Sequence, residues 1–278
     1  MLSIIYGLIS ALGWGAADFT GGLASKKSSP YQVLFLAEVA GLLPLVIITA
    51  LVHEPLPALP AWLWSALAST VGTLGLLILY RALAEGQMTI AAPVSALLAA
   101  IIPVLVGAVT EGLPHPITFL GFGLALTSVW VISQNGEMEG QRLNLRDLRL
   151  PLISGLFFGA YFVLIHQATQ EAFFWPLVSA RLAGTLVMLI YAATMRGTMM
   201  PKRSVWPIVI LGGMLDVIGN VFYVLASHTG RLDIAAVLGA LYPASTVVLA
   251  WIFLHERLSR NQWIGIVLSL VAIILMTI

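Results

Sequence analysis

The sequence predicts an all-α integral membrane protein with ten transmembrane helices arranged as two inverted five-helix repeats. Three observations lead there. Apolar residues make up 60% of the chain and charged residues 9%, with a mean hydropathy of +1.00, far outside the averages for soluble domains. The apolar runs are about 18 to 25 residues long, enough for a helix to cross about 30 Å of hydrocarbon. Finally, segments of the first half align with segments of the second at one nearly constant spacing.

With charges and turn residues as boundaries, the spans fall at 4–24, 31–52, 61–83, 89–110, 116–134, 150–168, 173–195, 205–227, 233–254 and 261–278. The first is not expected to be a signal peptide, because MLSIIYG lacks a basic start and the apolar run outlasts a signal's core. The longest polar connection, NGEMEGQRLNLRDLRL from 135 to 150, divides the chain near its centre. It sets the expected organisation: repeat one at 1–136, a connecting loop at 137–148 and repeat two at 149–278.

The register of the duplication is carried by four segments. FLGFGLALTSVWVI from Phe119 lies over WIGIVLSLVAIILM from Trp263 at an offset of 144, pairing Gly121 with Gly265, and SALLA from Ser95 lies over GALYP from Gly239. WGA from Trp14 lies over FGA from Phe158, also at 144, and AEVAG from Ala37 over ARLAG from Ala180 at 143. Five spans per copy is an odd number, so the second copy enters the bilayer from the opposite side. Inverted repeats about a pseudo-two-fold axis in the membrane plane characterise secondary transporters, with a site near the midplane between them.

WGAADF, IAAPVSALLAAIIPVLVGAVTE and IAAVLGALYPASTVVLAWIFLHERLSRNQWIGIVLSL carry a family likeness. Over its whole length the chain resembles the drug/metabolite transporter superfamily, specifically the EamA-type carriers with ten helices. Pro243, Glu256 and Gly265 fall where such carriers show a proline, a glutamate at the helix end and a glycine. The first half departs from that pattern, with Pro103 displaced and Glu111 followed by GLPHP. The resemblance implies export or exchange of small metabolites, amino acids among them, without ATP hydrolysis.

Lys and Arg set the expected orientation. Loops after odd-numbered spans hold eleven of the thirteen cations: Lys26, Lys27, Arg81, Arg142, Arg146, Arg149, Arg196, Lys202, Arg203, Arg257 and Arg260. Loops after even-numbered spans hold only Arg231, and Arg181 is inside a span. The expectation is a multi-pass protein of the plasma or inner cell membrane with both termini outside.

An ionisable group at helix centre costs about 2.5–3.5 kcal/mol on insertion scales, so each one needs a reason. Asp18, Glu38, Arg181 and Asp216 are the acids and bases within spans, and His166 nears the end of span six. The duplication makes Glu38 the mate of Arg181. Two readings stay open: the pair forms a salt bridge or gate, or the two charges face a cavity separately and hold opposite ends of a zwitterion. Asp216, Asn220, Tyr223 and Ser227 form a stripe on span eight that offers a carboxylate, an amide, a phenol and a hydroxyl to a solute, or glues helices together. Ser10, Trp14 and Asp18 form a second stripe. Trp14 and Tyr161 are placed to stack on a flat or cationic solute, or to pack. Pro93, Pro103 and Pro243 lie inside spans four and nine and free carbonyls there, which makes Tyr242, beside Pro243, a gating candidate. Glu256 is expected to cap or pair near the interface.

No GxxxxGK[ST] or HExxH appears, and no Cys is present, which excludes a single-chain ATP-driven pump, thiolate metal sites and disulfides. No cofactor, metal or nucleic-acid partner is expected; the partners are a small-molecule solute and the lipid bilayer. The alternative is an intramembrane enzyme using Asp18 and Asp216 as a dyad, although neither sits in a YD or GxGD context and no GxSG is present.

Overall fold

The computed structural model describes residues 1–84, 88–133, 149–195, 198–255 and 258–277, without the side chains of 80–84, 88–93, 133, 195 and 277. The 137–148 connector and Glu256 lie outside the described residues. Regular structure among the described residues is helical: α1 (Leu2–Ser25), α2 (Pro30–Val52), α3 (Leu59–Ala84), α4 (Met88–Thr110), α5 (Pro116–Ser133), α6 (Arg149–Ala168), α7 (Phe174–Met195), α8 (Trp206–Thr229), α9 (Leu232–Gly239), α10 (Tyr242–Leu254) and α11 (Arg260–Thr277). Seven stretches are long and apolar enough to cross a membrane, and Val94–Thr110, Pro116–Ile132 and Arg260–Met276 are shorter apolar helices.

Helix ends fall within two residues of the boundaries expected from hydropathy. Inside the ninth segment, however, a turn at Ala240 and Leu241 separates α9 from α10. Pro243, near the start of α10, has no N–H to return to the preceding turn, so the helix restarts there. The mate of Pro243 in the first half is Ala99, and α4 runs unbroken through Pro93 and Pro103.

Helices pack in mated pairs. α1 lies on α8 as α3 lies on α6; α4 lies on α6 as the α9–α10 segment lies on α1; α2 lies on α8 as α3 lies on α7. α5 with α11, α2 with α7 and α4 with α9 are pairs that map onto themselves. The same exchange holds atom by atom at close-packed glycines. A Cβ on Gly121 would meet Ala272 O and Met276, and one on Gly265 would meet Ser128 O and Ile132, which are the same positions shifted by 144. Gly15 meets Thr246 and Gly159 meets Ile102; Gly219 meets Trp14 and Gly75 meets Phe158. Small residues let helix backbones approach where lipid supplies no hydrophobic drive for association.

The outside of the bundle is apolar. Leu12, Leu43, Leu186 and Val267 are all exposed, whereas Ser10, Ser65, Ser128 and Ser154 are buried. Buried hydroxyls bond to backbone carbonyls, as Ser10 Oγ does to Gly219 O at 2.8 Å and Ser154 Oγ to Gly75 O at 2.8 Å.

Gly213→Ala places a Cβ 2.4 Å from Ala37 O and is expected to cost about 1–3 kcal/mol by overpacking. Gly123→Ala meets nothing within 4 Å and is expected to be neutral or to gain up to about 1 kcal/mol from helix propensity. Thermal unfolding of the two purified variants in one detergent checks the contrast.

Candidate functional site

Glu38, eight residues into α2, and Arg181, seven residues into α7, both sit about one turn before the midpoints of their mated helices. The long guanidinium arm closes the gap: Arg181 Nη1 donates to Glu38 Oε2 at 2.9 Å. Arg181 Nη2 donates to Asp216 Oδ2 on α8, so one cation bridges two acids from three helices. Side-chain exposure rises from 8% at Arg181 to 17% at Glu38 and 34% at Asp216, so the network is buried at its arginine and open at its far acid.

The mated glycines explain how two large charged groups fit. A Cβ at Gly41 would come within 3.3 Å of Arg181 Cζ, and one at Gly184 within 3.3 Å of Glu38 Cδ. Each charged group therefore packs against the glycine that follows its mate in AEVAG and ARLAG, sharing that space with Val217 at Gly41 and with Ser69 and Thr73 at Gly184.

The network continues along α8. Asn220 Nδ2 donates to Asp216 O at 2.7 Å and to Asp216 Oδ2 at 3.0 Å, and the Tyr161 hydroxyl of α6 donates to Asn220 Oδ1. Glu38, Arg181, Asp216, Asn220 and Tyr161 thus form one polar chain. Asp18 is exposed and has no hydrogen-bond or ion-pair partner among the described residues, but its carboxylate is within electrostatic range of Asp216. One turn from it, Trp14 stacks on Phe162 with ring centroids 5.4 Å apart.

Tyr223 is fully buried, with its ring 4.7 Å from Phe162 and its hydroxyl donating to Phe162 O at 3.2 Å. Trp14, Phe162 and Tyr223 form a packed aromatic wall under the polar chain, and Gly219 and Gly239 make room for the indole. Phe162 was not singled out in the sequence; its signal was adjacency to Tyr161 on a glycine-containing helix. Tyr242 stands partly buried at the start of α10, apart from the polar chain. His166 stacks on His228 at 4.5 Å and bonds Ser227 Oγ at 3.0 Å, at the ends of α6 and α8.

The two ends of the bundle differ. At the end holding the loops after α2, α4, α6 and α8, Glu54 accepts from the backbone N–H groups of Phe173, Phe174 and Trp175 at 2.7–2.9 Å, capping α7 with a residue of the other half. Arg231 Nη2 donates to Gly112 O at 2.6 Å and to buried Asp233 at 2.7 Å, while Glu111 accepts from Leu232 N at 3.2 Å. Hydrogen bonding to Asp233 holds the Arg231 guanidinium above its ordinary pKa. Towards this end, α9 is buried almost throughout; towards the other, α10 has no buried residue.

A model of the EamA-like transporter family matches residues 1–134 and again 149–278. An uncharacterized protein of Methanocaldococcus jannaschii is 30% identical over 131 residues, which are 46% of this chain and 94% of that relative. That relative is therefore about as long as one repeat. The crystal structure of a protein 17% identical in sequence matches with a TM-score of 0.78, covering 99% of this chain and 96% of that one, which shows a shared fold. Two mated halves, each matched in full by the same family model, make this chain a member of the EamA-like transporter family.

Proposed function

We propose that the chain is a secondary transporter that exports or exchanges small polar metabolites, amino acids and related solutes, by alternating access. The ten apolar segments are ten spans, with α9 and α10 forming the ninth. The repeats occupy 1–136 and 149–278, joined by the connector at 137–148, and five spans each make them inverted. The observation that carries this reading is the polar chain from Glu38 through Arg181, Asp216 and Asn220 to Tyr161, which joins residues from the middle parts of helices in both halves. Charges there are costly in lipid and give a polar solute a path through it.

Access is from the end that carries the loops after odd-numbered spans. Loose packing of α10 against tight packing of α9 supports this, as does exposed Asp18 near that end of α1. Lys26, Lys27 and Lys202 line a cleft of about 500 Å³ at the same end, so the positive-inside rule places it in the cytoplasm and both termini outside. The solute meets Asp18, Trp14 and the Asp216 edge of the network, and rocking of the half-bundles then closes this end as the other opens. An enzyme would need Asp18 and Asp216 as a free pair, and the Arg181 contact to Asp216 argues against that.

Arg181→Gln leaves two acids without their shared cation and is expected to cost about 3–5 kcal/mol of stability. Glu38→Gln leaves Arg181 paired with Asp216 and is expected to cost less than half as much; unfolding in detergent measures both. In proteoliposomes, efflux of labelled amino acids is expected to fall at least tenfold in Asp216→Asn. Product formation without net solute movement would overturn the transport reading. Because the chain has no Cys, single cysteines report topology directly. On intact cells an impermeant maleimide is expected to label His115→Cys, and to label Met200→Cys only after permeabilisation.

A further inference from the structure

Ser69 and Thr73 stand one turn apart on α3 and converge with Glu38 on Gly184 of α7. A Cβ at Gly184 would lie 2.9 Å from Ser69 Oγ, 3.3 Å from Thr73 Oγ1 and 3.3 Å from Glu38 Cδ. Both residues are more than nine-tenths buried, at 8% and 7% exposure. Neither hydroxyl has a hydrogen-bond partner among the described residues. Neighbours on the same helix behave otherwise: Ser65 Oγ returns to Trp62 O at 3.1 Å and Thr70 Oγ1 to Ala66 O at 2.8 Å, the usual resort of a hydroxyl in a span. Thr185, next to Gly184 in sequence, has a fully buried hydroxyl without a partner. Glu38 gives Oε2 to Arg181, and its Oε1 accepts nothing from the described residues.

The duplication supplies a control within the molecule. Mates of Glu38, Ser69, Thr73 and Gly184 are Arg181, Gly213, Val217 and Gly41. There the space is filled by carbon and backbone: a Cβ on Gly41 would be 2.9 Å from Val217 Cγ2 and 3.1 Å from Gly213 O. Hydroxyls gather only around Gly184, on the carboxylate side, while Val217 and backbone lie around Gly41, where the guanidinium instead reaches the Asp216 carboxylate. That is the polarity expected of a site for positive charge, and the surrounding network of Asp18, Glu38 and Asp216 against Arg181 has acids in excess.

We propose that Glu38, Ser69 and Thr73 form a binding site for a small monovalent cation of the sodium class, held between their oxygens beside Gly184. With Ser69 Oγ, Thr73 Oγ1 and Glu38 Cδ all 2.9–3.3 Å from one point beside Gly184, the space suits a single-atom ligand rather than a solute. Hydroxyls with a single carboxylate suit a hard monovalent ion, because they offer oxygen donors and only one negative charge, whereas calcium and magnesium are held by oxygen-rich shells. In a transporter, ions that drive solute movement occupy midplane sites of this kind. The coupling role rests on the transport reading above; the binding itself does not.

The test is thermal unfolding of the purified protein, titrated with NaCl against choline chloride at constant ionic strength and constant pH. The parent is expected to show a saturable rise in midpoint with sodium. Ser69→Ala/Thr73→Val should weaken the apparent affinity at least tenfold while keeping the midpoint in choline, because the hydroxyls removed have no protein partners. Thr73→Ser, which keeps the hydroxyl, should retain the response. No sodium response in the parent, an equal response in the double variant, or a midpoint that follows pH alone would overturn the proposal. Proteoliposome efflux separates the two readings: solute movement indifferent to sodium leaves transport standing without ion coupling, and sodium binding without solute movement leaves the site standing without transport.

Discussion

The bridge of Arg181 to Glu38 and Asp216 is the constraint around which the rest of the molecule is arranged. A lone guanidinium or carboxylate within a span is expensive, and removing one partner of a buried pair leaves the other uncompensated. One cation between two acids joins three helices, two from the second half and one from the first. Side chains at Gly41 and Gly184 would crowd the charges and the residues packed beside them.

Around that centre, stability comes from fit rather than from an apolar core shielded from water. The outer leucines face lipid as readily as they would face each other, so close backbone approach at glycines and back-bonded hydroxyls hold the helices together. The reciprocity of those contacts at an offset of 144 means that each half is shaped by the other. The halves have still diverged where function would want asymmetry: Pro243 breaks one helix where Ala99 leaves its mate whole, and hydroxyls surround one charge and not the other.

Much of this was legible in the sequence, for physical reasons. Hydropathy marks helix ends because lipid punishes every unsatisfied backbone group, so boundaries came out within two residues. The alignment of AEVAG with ARLAG made Glu38 and Arg181 mates, and their contact follows from α2 packing on α7. What escaped notice depends on side-chain direction around a helix and on neighbours far away in the chain. The span-eight stripe placed Asp216, Asn220 and Tyr223 together, yet Tyr223 turns into the aromatic packing while the other two join the polar chain. Ser69 and Thr73 drew no notice, because nothing in the spacing tells which serine bonds its own helix and which turns to a glycine on another. The clamp by Glu54 is likewise a loop contact over more than a hundred residues, without periodicity to reveal it.

The separation of Glu38 from its partner also has a meaning in time. Their contact spans 143 residues of sequence. At about 5–20 residues per second of synthesis, Arg181 follows Glu38 by on the order of ten seconds. During that interval α2 must enter the bilayer with an acid and no guanidinium to receive it. The leucines, valines and isoleucines on both sides of Glu38 are therefore more than lipid-facing filler: they carry the helix across until the second half arrives to complete the bridge.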